Sequence, residues 1–157
     1  MNNFVELAEM LPLMQEMLDA GGKVSFTPSG VSMLPMLRHR QDVVVLTKPV
    51  GRLKKYDLPL YRRDDGTFVL HRVVKVCADD TYTMCGDHQW ILEPGISDKQ
   101  LVGVVTQFTR GNRTYMVTNK KYLAYCSFWV AIRPLRGLYF RARGKLGKIK
   151  RALLRRH

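Results

Sequence analysis

The sequence predicts a mainly β fold: a coiled antiparallel β-sheet with an N-terminal helix and a C-terminal basic amphipathic helix. Three observations carry this. Short runs in which apolar and polar residues alternate recur between residues 24 and 117, punctuated by Gly, Pro and Asp. Residues 4–18 and 135–153 instead repeat their apolar side chains at helical spacing. Charge is also divided along the chain. Residues 99–157 hold 15 of the 26 Lys and Arg and none of the 13 Asp and Glu, so a nearly neutral body carries a basic tail. At 157 residues the chain has the length of one domain, organised as an N-terminal amphipathic helix (1–22), a β domain (23–118) and a basic, aromatic tail (119–157).

In the first segment Phe4, Leu7, Ala8, Leu11, Met14 and Leu18 share a helical face. Asn3 and Glu6 have the spacing of a capping box, Gly21-Gly22 is a stop, and Pro12 is expected to kink the helix or split it. With Glu6, Glu9, Glu16 and Asp19 the segment is too short and too acidic to span a bilayer. It also lacks the basic start and continuous apolar centre of a secretory signal. It reads as a helix packed on the sheet.

Val24 and Phe26 then alternate with Ser25 and Thr27 as a strand, and residues 42–46 form a second one. Between them runs Pro28-Ser29-Gly30-Val31-Ser32-Met33-Leu34-Pro35. A Gly two residues before a Ser, with a Pro three residues after it, makes a turn that can hold one hydroxyl clear of the sheet, as a nucleophile requires. An ordinary loop has the same composition. Lys48-Pro49-Val50-Gly51 is a turn, and Leu58, Leu60 and Tyr61 form a short strand in which Pro59 implies an edge position. Asp64-Asp65-Gly66 is a hairpin turn leading into the strand that carries His71. Residues 81–85 pair with that strand across Asp79-Asp80, so Gly86-Asp87 falls where the pairing ends. Strands at 101–108 and around Tyr115 and Val117 complete the sheet.

The chemistry follows from residue types. A serine hydroxyl attacks only if a neighbour takes its proton, and imidazole, with a reference pKa of about 6.5, does so near neutral pH. Ser32 is the candidate nucleophile and His71 the candidate base. A carboxylate on the other ring nitrogen would fix the tautomer, and Asp87 is the first choice because it ends the strand paired with that of His71. Lys75 would lie about 13 Å along the strand from His71, too far for a Ser-Lys dyad. His39 reads as a solvated loop residue. Cys77, Cys85 and Cys126 have neither the number for a disulfide framework nor the spacing of metal ligands, and no cofactor or metal is expected. Free thiols fit a reducing compartment.

Three stretches, Ser32-Met33-Leu34-Pro35, His71-Arg72-Val73-Val74 and Gly86-Asp87-His88, together resemble the boxes of the type I signal peptidase superfamily, which also holds the self-cleaving repressor domains. The resemblance covers about residues 24–108. It implies that Ser32 is the nucleophile and that His71 stands where other members carry a Lys or His base. It also implies that a peptide binds in extended form, with small residues preferred near the scissile bond. The third box usually reads Gly-Asp-Asn. In the histidine branch the orienting carboxylate falls some positions after Gly-Asp, which makes Glu93 the alternative to Asp87. Common members carry an oxyanion-hole Ser two residues before the nucleophile, whereas here Ser29 is three before Ser32 and Val31 intervenes. This leaves the Ser32 N–H as a donor and Ser29 as a candidate.

The tail opens with the aromatic run 122–132, too short to cross a bilayer, and is cut by Arg133-Pro134. Leu135, Leu138, Tyr139, Ala142, Leu146, Ile149 and Leu153 then form a stripe opposed by Arg and Lys, with Gly137, Gly144 and Gly147 weakening the helix in water. The pattern favours an anionic membrane over nucleic acid, since a groove gives the stripe nothing to bury against; docking on the body is the structural alternative. The sequence therefore leads to a serine-type endopeptidase that cuts a leader-like or membrane-proximal peptide, cytoplasmic and peripheral on the membrane. The rival is a non-catalytic peptidase-like module tethered by its tail.

Overall fold

The computed structural model describes residues 7–154, and the side chains of residues 9–143. The element order is α1 (Leu7–Asp19), β1 (Val24–Phe26), β2 (Val43–Thr47), β3 (Pro59–Arg62), β4 (Phe68–Leu70), β5 (Arg72–Val76), β6 (Thr81–Cys85), β7 (Glu93–Ser97), β8 (Leu101–Arg110), β9 (Arg113–Met116), α2 (Lys120–Ala131) and α3 (Arg133–Leu154). The molecule is mainly β, with two antiparallel sheets and three helices. Phe4 and the Asn3/Glu6 capping pair lie outside the described residues.

α1 buries Met14 and Leu18, the two innermost positions of its apolar face, and ends where Gly22 N–H reaches back to the Met17 carbonyl at 2.9 Å. It runs unbroken through Pro12, where a kink or split is expected from the sequence.

The first sheet runs β1-β2-β8-β3-β4, with β9 also paired to β8. The long β8 is its spine: β2 lies along one edge, while β3 and then β9 share the other. Bulges at Val45/Leu46 and Leu60/Tyr61 bend it. The second sheet is β5-β6-β7, and β7 is a strand the sequence pattern does not show. Pro59 is not at an edge, because β3 is flanked by β8 and β4; as the first residue of the strand it costs no ladder hydrogen bond in the middle of the sheet.

Alternation along β3, β4 and β8 explains how two cores form. Leu60, Leu70, Val102 and Val105 join α1, Met33 and Met36 on one side. Tyr61, Val69 and the partly buried Leu101 and Val104 join Val73, Tyr82, Met84 and Ile96 of the second sheet on the other. The chain passes from the first sheet to the second at His71, which belongs to neither β4 nor β5.

The boundary at 119 is not a separation in space. Asn119 caps α2 by accepting from Lys121 N–H at 2.8 Å, and the helix buries Tyr122 and Cys126, one turn apart, against the body. α3 is continuous despite its glycines; Gly137 packs against Trp90, so contact with the body supports a helix that its composition weakens. Among the described residues no helix is long and apolar enough to cross a membrane.

Candidate functional site

The loop that carries Ser32 is pinned from both ends. Met33, Met36 and Leu37 are buried in the first core, so the Met that follows Ser32 acts as an anchor. Asp42, fully buried, accepts from the Arg38 N–H at 2.8 Å and from its guanidinium at 2.6 and 3.0 Å. Gly30 sits at φ +104°, which a side chain would strain, and its N–H donates to His39 Nδ1 at 2.7 Å. The exposed His39 thus orders the loop, a role its sequence context does not show.

The third box holds Ser32 in place from the other side. His88 N–H donates to the Ser32 carbonyl at 2.7 Å. A Cβ on Gly86 would stand 2.7 Å from that same oxygen, so only glycine allows the two backbones to approach this closely.

Ser32 and His71 line one cavity of about 230 Å³, together with Ser29, Gly30, Met33, the β4 residues Phe68, Val69 and Leu70, and Arg63 and Gln89. Among the described residues nothing is hydrogen-bonded to the Ser32 N–H or hydroxyl. Ser29 lies on the same wall.

His71 is buried, and its ring is held from the Nδ1 side. Tyr61 O–H donates to Glu93 Oε2 at 2.8 Å, so toward His71 Nδ1, 3.3 Å away, the phenol oxygen can only accept. That assigns the proton to Nδ1 and leaves the Nε2 lone pair as the acceptor of the ring. Glu93 Oε2 is itself 3.7 Å from Nδ1. Burial pushes the His71 pKa down to about 4; Glu93 opposes this without reversing it, and Arg63 adds to it. The imidazole is therefore neutral at neutral pH. Arg63 grips Glu93 with two bonds of 2.6 Å, which hold that carboxyl below its usual range although partial burial raises it. Burial, and then the hydrogen bond to Glu93, push the Tyr61 phenol far up, so it stays a donor.

The two sequence-nominated acids have different partners. Asp87 is hydrogen-bonded not to His71 but to Arg72, through Nε at 2.8 Å and Nη2 at 2.7 Å, both side chains being almost wholly buried. Tyr125 O–H adds a third bond to its carboxylate, and the Trp129 indole N–H reaches its backbone carbonyl at 2.7 Å. Burial lowers the Arg72 pKa, but the hydrogen bonds and charge of Asp87 more than offset it, and the guanidinium remains charged. The acid facing the imidazole is Glu93, at the start of β7. Lys75 is exposed on β5 and lines no part of the cavity.

Sequence reasoning missed Tyr61 and Arg63. The hairpin carried the signal: Asp64-Asp65-Gly66 places Tyr61 opposite Val69, and two residues on from Val69 is His71. Arg72 also went without a role, although a charge within Phe68–Val76 points to a buried pair. Among the described residues no group of three or more His, Cys, Asp or Glu is placed to hold a metal ion. No family model matches the chain, and no curated protein or solved structure matches it.

Two substitutions separate these roles. Asp87→Asn leaves Arg72 buried without its counter-charge and is expected to cost about 3–5 kcal/mol in urea denaturation, whereas Glu93→Gln, at a side chain 24% exposed whose partner Arg63 is 37% exposed, costs about 1 kcal/mol or less. Gly86→Ala forces the Ser32 carbonyl away. The loop's hydrogen bond from His88 should break, visible as faster amide exchange at His88 with the rest of the β-sheet protection unchanged.

Proposed function

We propose that the chain is a serine endopeptidase of the signal-peptidase and repressor-cleavage type. The observation that carries the reading is that Ser32 and a buried, neutral His71 line one cavity, with Tyr61 and Glu93 behind the ring. Two sheets joined at the base residue fit the coiled sheet of that superfamily. In this reading Ser32 Oγ attacks the peptide carbonyl carbon while its proton passes to His71 Nε2. The developing oxyanion is met by the Ser32 N–H. Collapse breaks the C–N bond, and the proton held on His71 goes to the leaving amine. Water, deprotonated by His71, then cleaves the acyl-enzyme and restores Ser32. Tyr61 and Glu93 orient the imidazole and stabilise its charge, while Arg72 and Asp87 set the position of the loop that carries Ser32.

The substrate is a leader-like or membrane-proximal peptide bound in extended form. β4 supports this, since it is the last strand of its sheet and its residues form the cavity wall next to His71. The C-terminal helix would place the enzyme peripherally on an anionic membrane at the cytoplasmic face. Leu135, Leu138 and Tyr139 stand exposed at i, i+3, i+4 spacing on a helix without an acid, and each basic residue near such a surface adds about 1 kcal/mol.

Labelling of Ser32 by a serine-reactive acylating probe tests the chemistry. Below its pKa His71 is protonated and cannot accept the serine proton, so initial rates should rise as pH increases through about 4 and be flat from pH 6 to 8. Labelling should vanish in Ser32→Ala and His71→Ala, and fall roughly 10²-fold in Tyr61→Phe and Glu93→Gln. No labelling of the wild type at any pH would leave the non-catalytic, tethered module. For the membrane, cosedimentation with phosphatidylserine vesicles should exceed that with neutral vesicles and drop in Leu138→Asp. Equal binding by that variant, or preferential retention on DNA, would sink the membrane assignment.

A further inference from the structure

Beside the Ser32 cavity lies a larger one, of about 660 Å³, bounded chiefly by Trp90, Ile91, Leu92, Pro94 and Phe140. The two are contiguous, sharing Arg63 and Gln89. The second is built by the C-terminal helix. Gly137 brings α3 against the Trp90 ring, Arg141 stacks on that ring at 4.6 Å, and Arg133 donates to the Trp90 carbonyl at 3.2 Å. Phe140 thereby meets His88 edge-on at 5.5 Å. None of these contacts is made by Ser32 or His71.

The apolar lining is left open to water. Ile91 is 64% exposed and Leu92 39%, adjacent residues on the segment that leads into β7. An exposed apolar patch inside a concave wall is what a binding site presents, and the rim decides the kind of partner. The α3 side of that rim is cationic: the exposed Arg141 lies with its guanidinium over the Trp90 ring. The one acid on the wall, Glu93, is matched by the two bonds from Arg63. A positive rim disfavours a basic peptide and draws an acidic one.

We infer that this cavity takes one large apolar side chain, Phe, Trp, Leu or Ile, of an acidic peptide, and that this peptide is the one cut at Ser32. The inference rests on the peptidase reading and adds a recognition site to it. A side chain held here lies away from the scissile bond, so its burial selects the substrate and helps to hold the chain at the reacting centre.

The test is a randomised, immobilised peptide library probed with the Ser32→Ala chain, which binds without cutting. Enriched sequences should pair Phe, Trp, Leu or Ile with a nearby Asp or Glu. Replacing that apolar residue by Ala in a resynthesised peptide should weaken binding roughly ten- to hundredfold. Ile91→Asp, at an exposed position where folding is not at stake, and Phe140→Ala should each weaken binding of the selected peptide about tenfold or more and leave small-probe labelling of Ser32 in the otherwise wild-type chain unchanged. Enrichment of acidic residues without an apolar one, undiminished binding by Ile91→Asp, or no enrichment would overturn the inference. Failure of the peptidase reading would show separately, as an apolar-dependent peptide binding to a chain whose Ser32 no probe labels.

Discussion

The Arg72 guanidinium turns its donors entirely inward. Besides the two bonds to Asp87 it reaches the Tyr56 carbonyl, the Tyr122 hydroxyl and the sulfurs of Cys126 and Met36. One side chain thus gathers the Gly86-Asp87 segment, the turn before β3, the first C-terminal helix and the loop that carries Ser32. A buried ion pair adds little net stability compared with an apolar packing of equal volume, but losing one partner is costly because the other is stranded. Its effect here is specificity of arrangement. The segments that must meet behind Ser32 are those whose polar groups the guanidinium needs.

The second ionic pair works differently. Arg63 and Glu93 are each partly solvated, at the cavity rather than beneath it. Glu93 faces His71 both directly, at 3.7 Å, and through the neutral Tyr61 phenol, and the dominant influence on the imidazole remains its burial. One pair therefore fixes backbone and the other tunes a ring. Burial of His71 also carries a chemical compromise: an imidazole with a depressed pKa is always available as a proton acceptor at neutral pH, yet is a weaker acceptor for each encounter.

Much of this was legible in the sequence. The sequence pattern located seven strand segments, of which the one through His71 folds as two strands, β4 and β5, because half-buried antiparallel strands write their faces into the chain. β7 escaped because Glu93-Pro94-Gly95 carries turn residues, and only pairing with β6 makes it a strand. Ser32 and His71 could be named from local motifs and share a cavity wall in the fold. The partner of the imidazole could not, since Asp87 and Glu93 differ only in what else the fold offers them, and a buried arginine claims one. The tail was read as a surface helix from its stripe and charge; that its first turns hold Trp90 and Asp87 in place depends on shape complementarity, which composition does not encode.

His71 lies on neither strand, and this shapes how the molecule can vary. Its ring is held by Tyr61 and Glu93, between Leu70 of one core and Val73 of the other, not by the ladder of either sheet. Residues 78–80, the tip between β5 and β6, are exposed and remote from that crossing in register. They are where the chain can lengthen, acquire a tag or take an inserted loop while the geometry between the Ser32 loop and the imidazole is carried unchanged.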